Sequence, residues 1–182
     1  NPAYSRMSEA DGAWMARILA RFSDAHVEAL VDTGRFENRV VRDELVRILV
    51  GRRDAILRRY LTRLSPLAQP RVEQAQGGPL LCVEDLAVTG GVVQAAARRY
   101  QARAWPQGAG LAVQPGSRGP CTALPRGLGG SAQRPAYLVV DVVASGPAAA
   151  LPPLRVHLYH LGEAEFRIAG LERPGDSEPP RL

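Results

Sequence analysis

The chain has 182 residues, of which 46% are hydrophobic, 5% are aromatic and 23% are charged, and its formal net charge is +5 at pH 7. None of its residues is lysine, so all 23 basic side chains are arginine. This excludes a P-loop lysine, a Schiff-base lysine and the strand lysine of a protein kinase from the chain. The exclusive use of arginine also suggests a GC-rich coding bias, because folds normally use both basic residues.

The first third of the chain predicts three helices. Ser8 has the position of an N-cap for an amphipathic helix over residues 9–22, and Ser23 has that of an N-cap for a second helix. Asn38 can cap a third, longer helix whose apolar stripe continues to about residue 64. A pattern of this kind predicts helices that each bury one face against a neighbour.

The third helix carries the net charge of the chain. Residues 47–63 contain six arginines and one aspartate, so this segment alone has a formal charge of +5. Such a cluster can meet phosphate or an acidic partner, but the main interpretation is a solvated helix face near acids from neighbouring helices. Because the run has no interleaved aromatic side chain beyond Tyr60 and no reader motif, we do not expect it to bind nucleic acid.

Arg53 lies near the middle of the apolar stripe when this helix is projected at 100° per residue. An unpaired guanidinium in that position would cost several kcal/mol, so we expect an acidic or carbonyl partner from another segment. The candidate acids are Asp11, Asp24 and Asp32. A structural ion pair is the main interpretation. The alternative is an anion-binding site, for which the candidate residues are Arg52, Arg53, Arg58 and Arg59.

From about residue 78 the hydrophobic period becomes two, which predicts strands. Residues 80–88 predict a strand or a strand plus turn, and further predicted strands cover residues 99–105, 137–143, 154–161 and 165–171. The last two are separated by a short link and predict a hairpin. Strands without intervening helices favour an antiparallel arrangement. The predicted fold class is therefore α+β, with an N-terminal three-helix segment followed by a small antiparallel β-sheet or β-sandwich module.

These patterns divide the chain into segments. We expect a helical subdomain over residues 1–65, a linker over 66–79, a β-module over 80–173 and a disordered tail over 174–182. Residues 106–135 contain 12 glycines or prolines in 30 positions, so we expect a disordered insert there. No apolar run has the length of a membrane span. Residue 1 is Asn and not Met, so we expect a fragment or a processed product.

Cysteine and histidine give weak signals for chemistry. The two cysteines, Cys82 and Cys121, have no C-x-x-C spacing and no histidine at ligand spacing, so a zinc site is not expected, while a disulfide between them stays open. His157 and His160 differ by an odd number on one predicted strand, so they should face opposite sides of the sheet. His26 stands alone in the first turn of a helix and should face solvent.

Carboxylate and nucleophile patterns are weak as well. Glu84 and Asp85 are adjacent, so on a strand they point to opposite faces and do not form a catalytic pair. Asp141 reads as a polar residue on the exposed face of an edge or one-sided strand. A G-x-S-x-G motif is absent from the sequence. The sequence therefore predicts no catalytic, metal-ligating or cofactor-binding residue.

Several stretches resemble the C-terminal region of large uncharacterised bacterial proteins. The resemblance begins with N-P-A-Y-S-R-M-S-E-A-D-G-A-W-M-A-R at residues 1–17, extends to residue 31, and resumes with G-R-R-D-A-I-L-R-R-Y-L at 51–61. It continues through L-C-V-E-D-L-A-V, R-Y-Q-A-R-A-W and F-R-I-A-G-L-E-R-P in the strand-rich part. It covers most of the chain except the Gly/Pro-rich insert and the tail.

The resemblance implies a preceding kinase-like phosphotransferase domain that would hold the nucleotide- and metal-binding residues. None of its motifs is in this chain, so no catalytic residue can be assigned here. The helices would then dock onto that upstream domain of the same polypeptide, and the strands would form an accessory interaction module. A helical face shaped for such packing should leave apolar surface exposed. The alternative is an arginine-based contribution to anion or phosphate binding upstream.

Overall fold

A computed structural model describes residues 5–106, 111–113, 119–146 and 149–176. Its first part consists of three α-helices, which are α1 (Glu9–Leu19), α2 (Asp24–Asp32) and α3 (Arg39–Leu61). Each begins directly after a residue predicted as its cap, and these side chains accept hydrogen bonds from backbone N–H groups of the first turn: Ser8, Ser23 and Asn38. The prediction of three helices is confirmed. In the described ranges no helix is both long and apolar enough to cross a membrane.

Eight strands follow the helices: β1 (Leu67–Ala75), β2 (Gly78–Asp85), β3 (Arg99–Pro106), β4 (Leu111–Val113), β5 (Cys121–Ala123), β6 (Ala136–Ser145), β7 (Leu154–Gly162) and β8 (Glu165–Glu172). They form a three-stranded sheet of order β1-β2-β5 and a five-stranded sheet of order β4-β3-β6-β7-β8. Every pairing is antiparallel, and the predicted β7–β8 hairpin is confirmed. A short helix, α4 (Leu86–Thr89), follows β2.

The two sheets share one apolar core. Side chains from the three-stranded sheet, such as Leu81 and Val83, pack in one cluster with Leu138, Val140 and Leu158 of the five-stranded sheet. Residues on β6 and β7 alternate between this core and the opposite face, as the period-two pattern requires. The module is therefore a β-sandwich, and the predicted α+β class is confirmed.

A second, smaller core joins the helices to the sandwich. Leu57 and Leu61 at the end of α3 pack against Ala16 of α1 and against Leu86 and Ala87 of α4. Because α4 follows β2 directly, the last turns of α3 rest on the end of the three-stranded sheet. The helices and the sandwich are thus in direct apolar contact.

The predicted linker over residues 66–79 is wrong, because β1 occupies most of it. The segment was misread because β1 is an edge strand whose outward positions are polar. It also contains Pro70 within a bulge, where Gln69 has a φ of 48° and the register shifts between Ala68 and Arg71. Proline is tolerated in just such edge positions.

Other predicted boundaries also need correction. Of the two readings of residues 80–88, the continuous strand is wrong, because β2 ends at Asp85, whose side chain caps α4. The insert expected to be disordered over 106–135 contains β4, β5 and the buried Leu124, while 107–110 and 114–118 lie outside the described residues. In the tail, Pro174–Asp176 forms a 3₁₀ turn, and residues 177–182 lie outside the description.

Candidate functional site

An apolar groove lies between the three helices. Its walls are Leu19 and Phe22 at the end of α1, Val27 and Leu30 on α2, and Leu49, Arg52, Arg53 and Ile56 on α3. Its volume is about 300 Å³. Leu30 is 58% exposed although it lines the groove. Large aliphatic side chains in contact with water over such an area favour association with another apolar surface.

The first half of α3 extends this exposed surface. The helix has 23 residues, which corresponds to about 35 Å at 1.5 Å per residue. Its buried residues are Leu57 and Leu61, both in its last two turns. Val40 and Val41, near its start, are exposed. The exposed apolar surface expected from the sequence is therefore present on the helices.

Arg53 has the acidic partner that its position on the helix requires. Its side chain is 12% exposed, and its Nη2 donates to Oδ1 of Asp24 over 2.7 Å. Its Nη1 donates to the backbone oxygen of Phe22 over 2.8 Å, and Asp54 accepts from Nε and Nη2. Partial burial opposes the charge, but the hydrogen bonds to Asp54 and Asp24 outweigh it and raise the pKa of Arg53. Arg53 thus ties α3 to the α1–α2 corner, and the predicted ion pair is confirmed.

The other three candidate arginines point in different directions. Arg59 binds Glu9 of α1, with Nη2–Oε1 at 2.5 Å, and its guanidinium lies 5.1 Å from the ring centre of Tyr60. Arg52 lines the groove, and Arg58 is exposed. Within the described ranges neither Arg52 nor Arg58 has an acid at ion-pairing distance. The four guanidinium groups do not converge on one point, so the anion-binding site stays a prediction.

A buried charged cluster lies where the helices meet the sandwich. Oδ2 of Asp85 lies 3.0 Å from Nε of Arg98, and these side chains are 2% and 3% exposed. This contact between Arg98 and Asp85 is an ion pair without a hydrogen bond, because the Nε–H has no hydrogen-bond partner among the described residues. The same oxygen accepts from the hydroxyl of Tyr100 over 3.0 Å. Oδ1 accepts from the backbone N–H groups of Ala87 and Val88.

This cluster has the features of a structural junction. Burial, together with the neighbouring Asp85 carboxylate, raises the pKa of Tyr100, so its hydroxyl stays protonated and donates. Arg98 also reaches the backbone oxygen of Leu61 at the end of α3, where a cation is favourable. An open cavity of about 390 Å³ beside it is lined by Asp85, Tyr100 and Glu84 among others. Both oxygens of Asp85 are already engaged, so the cluster offers no free base.

Sequence reasoning missed the role of Arg98. The alternation of β3 places Tyr100, Ala102 and Ala104 on the inward side. Arg98, two residues before Tyr100, falls on the same side by the same alternation. That signal was present in the sequence. Its partner Asp85 could not be found in this way, because the contact joins two segments whose relative positions the local pattern does not determine.

The remaining residues considered in the sequence, two histidines and an aspartate, lie on strands of the five-stranded sheet. His157 faces outward and His160 faces the interior beside Phe166, so their predicted opposite orientation is confirmed. Asp141 is on the outer side of the sheet, as predicted for a one-sided strand, but it is only 9% exposed. β6 is a central strand, and both Asp141 oxygens accept from Arg155 on β7, over 2.8 and 3.0 Å.

Cys82 and Cys121 form a disulfide between paired positions of β2 and β5. The sequence had left this pairing open. Glu73 on β1 is close enough to the two sulfur atoms to suggest a metal site by spacing, and this is the one such group in the described ranges. Because the sulfurs are bonded to each other, they are not thiolates that could bind a metal ion.

Comparison with known proteins adds no relative to this picture: no family model, no curated protein and no solved structure matches the chain.

Proposed function

We propose that this chain is a non-catalytic docking region, in which the three helices bind an apolar segment of a partner and the β-sandwich is an accessory interaction module. The observation that carries this proposal is the apolar groove between the helices.

The side chains of the groove favour one kind of partner. Leu30, Leu49 and Ile56 favour a partner with an apolar stripe. Grooves between helices typically bind amphipathic helices whose apolar side chains stand at i, i+3 and i+4. At the rim, Arg52 has no ion pair within the described part of the chain, and α3 carries further arginines. We therefore propose an amphipathic helix with acidic flanking residues, supplied by the upstream domain of the same polypeptide that the sequence resemblance implies.

A selection from random displayed peptides tests the groove without knowledge of the partner. Peptides that bind the wild-type chain should share the amphipathic spacing and carry acids beside it. Their binding should be lost in the variants Leu30→Glu and Leu49→Glu, because a charge in the groove removes the apolar contact. Leu171→Glu is the matched control, since it places the same charge at an exposed leucine of β8.

The outcomes separate the possible occupants. Failure to enrich any such peptide, or equal binding by the two groove variants, would refute the proposal. Sedimentation velocity tests the other occupant: a dimer that Leu30→Glu converts to a monomer would assign the groove to a second copy of this chain and not to an upstream segment. Circular dichroism of each variant checks that the helices are intact.

The alternative function is an arginine-based contribution to anion or phosphate binding in an upstream phosphotransferase. It is supported by Arg52 and Arg58, which are exposed and have no acidic partner in the described ranges. Titration with ATP or inorganic phosphate, followed by NMR, tests it. Loss of binding in Arg52→Ala and Arg58→Ala with the fold intact would favour this function, and absence of any shift in the wild-type chain would exclude it for the isolated region.

A further inference from the structure

The five-stranded sheet has an outer face on the side opposite the sandwich core, and its tyrosines are exposed. We call it the outer sheet face and define it by six outward-pointing residues: Arg103 and Trp105 on β3, Tyr137 on β6, His157 and Tyr159 on β7, and Arg167 on β8. The opposite face is the sandwich core, which holds the alternate residues Leu138, Val140 and Leu158. The register places Tyr137 beside Tyr159 and Tyr159 beside Arg167.

The aromatic side chains of this face are close together and held in place. The ring centres of Tyr137 and Tyr159 are 5.5 Å apart, and the rings of Tyr137 and His157 are stacked at 5.9 Å with an angle of 20°. The hydroxyl of Tyr137 is hydrogen-bonded to Nδ1 of His157, and Nε2 of His157 lies 3.3 Å from Glu172. The two tyrosines are still 40% and 39% exposed. Rings that are fixed and exposed form a surface on which another ring can stack.

The charges on this face are not distributed evenly. Asp141 is occupied by Arg155, and Glu172 lies near both Arg155 and His157. Arg103 and Arg167 are exposed, and in the described ranges neither has an acid at ion-pairing distance. Arg103 lies beside Trp105 on β3, and Arg167 is paired with Tyr159 across the hairpin. The aromatic surface therefore has an available guanidinium at each end.

We propose that the outer sheet face binds an acidic polysaccharide. Sugar rings present C–H groups that stack on aromatic rings, and guanidinium groups bind carboxylates through two parallel hydrogen bonds. The face extends over four strands, which corresponds to about 14 Å at 4.8 Å per strand, so it can meet several sugar units.

A second feature favours a polysaccharide over a single-stranded nucleic acid, which also combines rings with negative charge. The Cys82–Cys121 disulfide belongs to the class of crosslinks that persist in oxidising, extracytoplasmic compartments. Acidic polysaccharides are encountered there, while single-stranded nucleic acids belong to the cytosol. This site is separate from the helical groove, so the two proposals can fail independently.

Isothermal titration calorimetry with polygalacturonate tests the proposal, with dextran as the neutral polysaccharide and single-stranded DNA as the other anion. We expect polygalacturonate to bind more tightly than either. Tyr159→Ala and Arg167→Ala should each weaken binding by about fivefold or more, while Tyr159→Phe should retain it because the ring stays. The matched controls lie in the helical part: Arg21→Ala removes an exposed arginine, and Trp14→Ala removes an exposed aromatic ring.

Trp105 provides a direct readout of stacking. In a Trp14→Phe background its fluorescence should change when polygalacturonate binds. No binding of polygalacturonate, or an equal loss of affinity in Arg21→Ala and Arg167→Ala, would overturn the proposal, since equal losses would show general charge attraction. Tighter binding of single-stranded DNA, weakened by Tyr159→Ala, would assign the face to nucleic acid instead. Melting temperatures identify any variant that fails to fold, and Tyr159→Leu or Arg167→Gln, which remove the ring or the charge but keep much of the side-chain volume, then replaces it.

Discussion

Replacing Arg98 with methionine should destabilise the chain more than the loss of any exposed arginine. The change leaves the carboxylate of Asp85 buried without its cation, and breaking a buried pair costs about 3–5 kcal/mol. Asp85 keeps the Tyr100 hydroxyl and two backbone N–H groups as donors. We therefore expect the lower end of that range, about 3 kcal/mol, out of a total stability of about 5–15 kcal/mol.

Urea denaturation followed by far-ultraviolet circular dichroism measures this loss as a change in the free energy of unfolding. Arg59→Met is the matched control, because the Arg59–Glu9 pair has side chains that are 44% and 51% exposed. That variant should lose no more than about 1 kcal/mol. Adding Asp85→Asn to Arg98→Met should recover part of the loss, because the asparagine is neutral and its side-chain oxygen can still cap α4.

Equal losses for Arg98→Met and Arg59→Met would refute the reasoning, because burial would then make no difference. A further loss on adding Asp85→Asn would refute it as well. Such a result would mean that the carboxylate stabilises the junction without any need for the Arg98 charge.

Three further predictions concern other parts of the molecule. Gly12→Ala should destabilise the chain by about 1–3 kcal/mol, because its new Cβ would overlap the ring of Tyr60. Gly51→Ala should stabilise the chain by about 0.5–1 kcal/mol, because a Cβ there meets no atom within 4 Å. Thermal melts compare the two variants, and changes of the same sign would contradict this packing. Because the pKa of Tyr100 is raised above its ordinary value of 10.0, the folded chain keeps a proton that the unfolded chain loses, so stability should fall as the pH rises above about 10. Urea titrations at about pH 8 and 10.5 should show a smaller decline in Tyr100→Phe than in the wild type, and identical declines would exclude this contribution. Reduction of the disulfide, whose cysteines are 39 residues apart, should lower the free energy of unfolding by up to about 4 kcal/mol. A variant with both cysteines replaced by alanine should not respond to the reductant, and a response in that variant would trace the loss to another cause.

Local sequence patterns were sufficient for the elements that depend on neighbouring residues. The helix starts follow from Ser8, Ser23 and Asn38, because N-capping involves only the next two or three residues. The partner of Arg53 was limited to three acids, since a guanidinium in an apolar stripe requires a nearby negative charge, and Asp24 is one of them. The opposite orientations of His157 and His160 follow from strand geometry alone.

Features that depend on the order of strands were not accessible in this way. The alternation of its segment places Asp141 on the outer side of the sheet, but it does not show that β6 has a neighbour on each side or that Arg155 lies directly opposite Asp141. The sequence of β1 predicts a linker because an edge strand needs apolar residues on one side only, so its apolar pattern is weak. The outer sheet face was missed since its residues come from four strands, and no single strand contains more than two of the six. The resemblance to kinase-associated bacterial proteins stays a prediction.

Burial along α3 is very unequal, and this has a consequence for local opening of the helix. Its last turns are held by Leu57, Leu61 and the junction around Asp85, so their amide protons should exchange with solvent only when most of the fold opens. The turns near Val40 and Val41, which are exposed, are held to α2 by the hydrogen bonds from Arg42 to Asp32 and should exchange after small, local fraying. One continuous helix would then contain both weakly and strongly protected amides, and occupancy of the groove would slow exchange first in the turns between them, which carry Leu49 and Ile56.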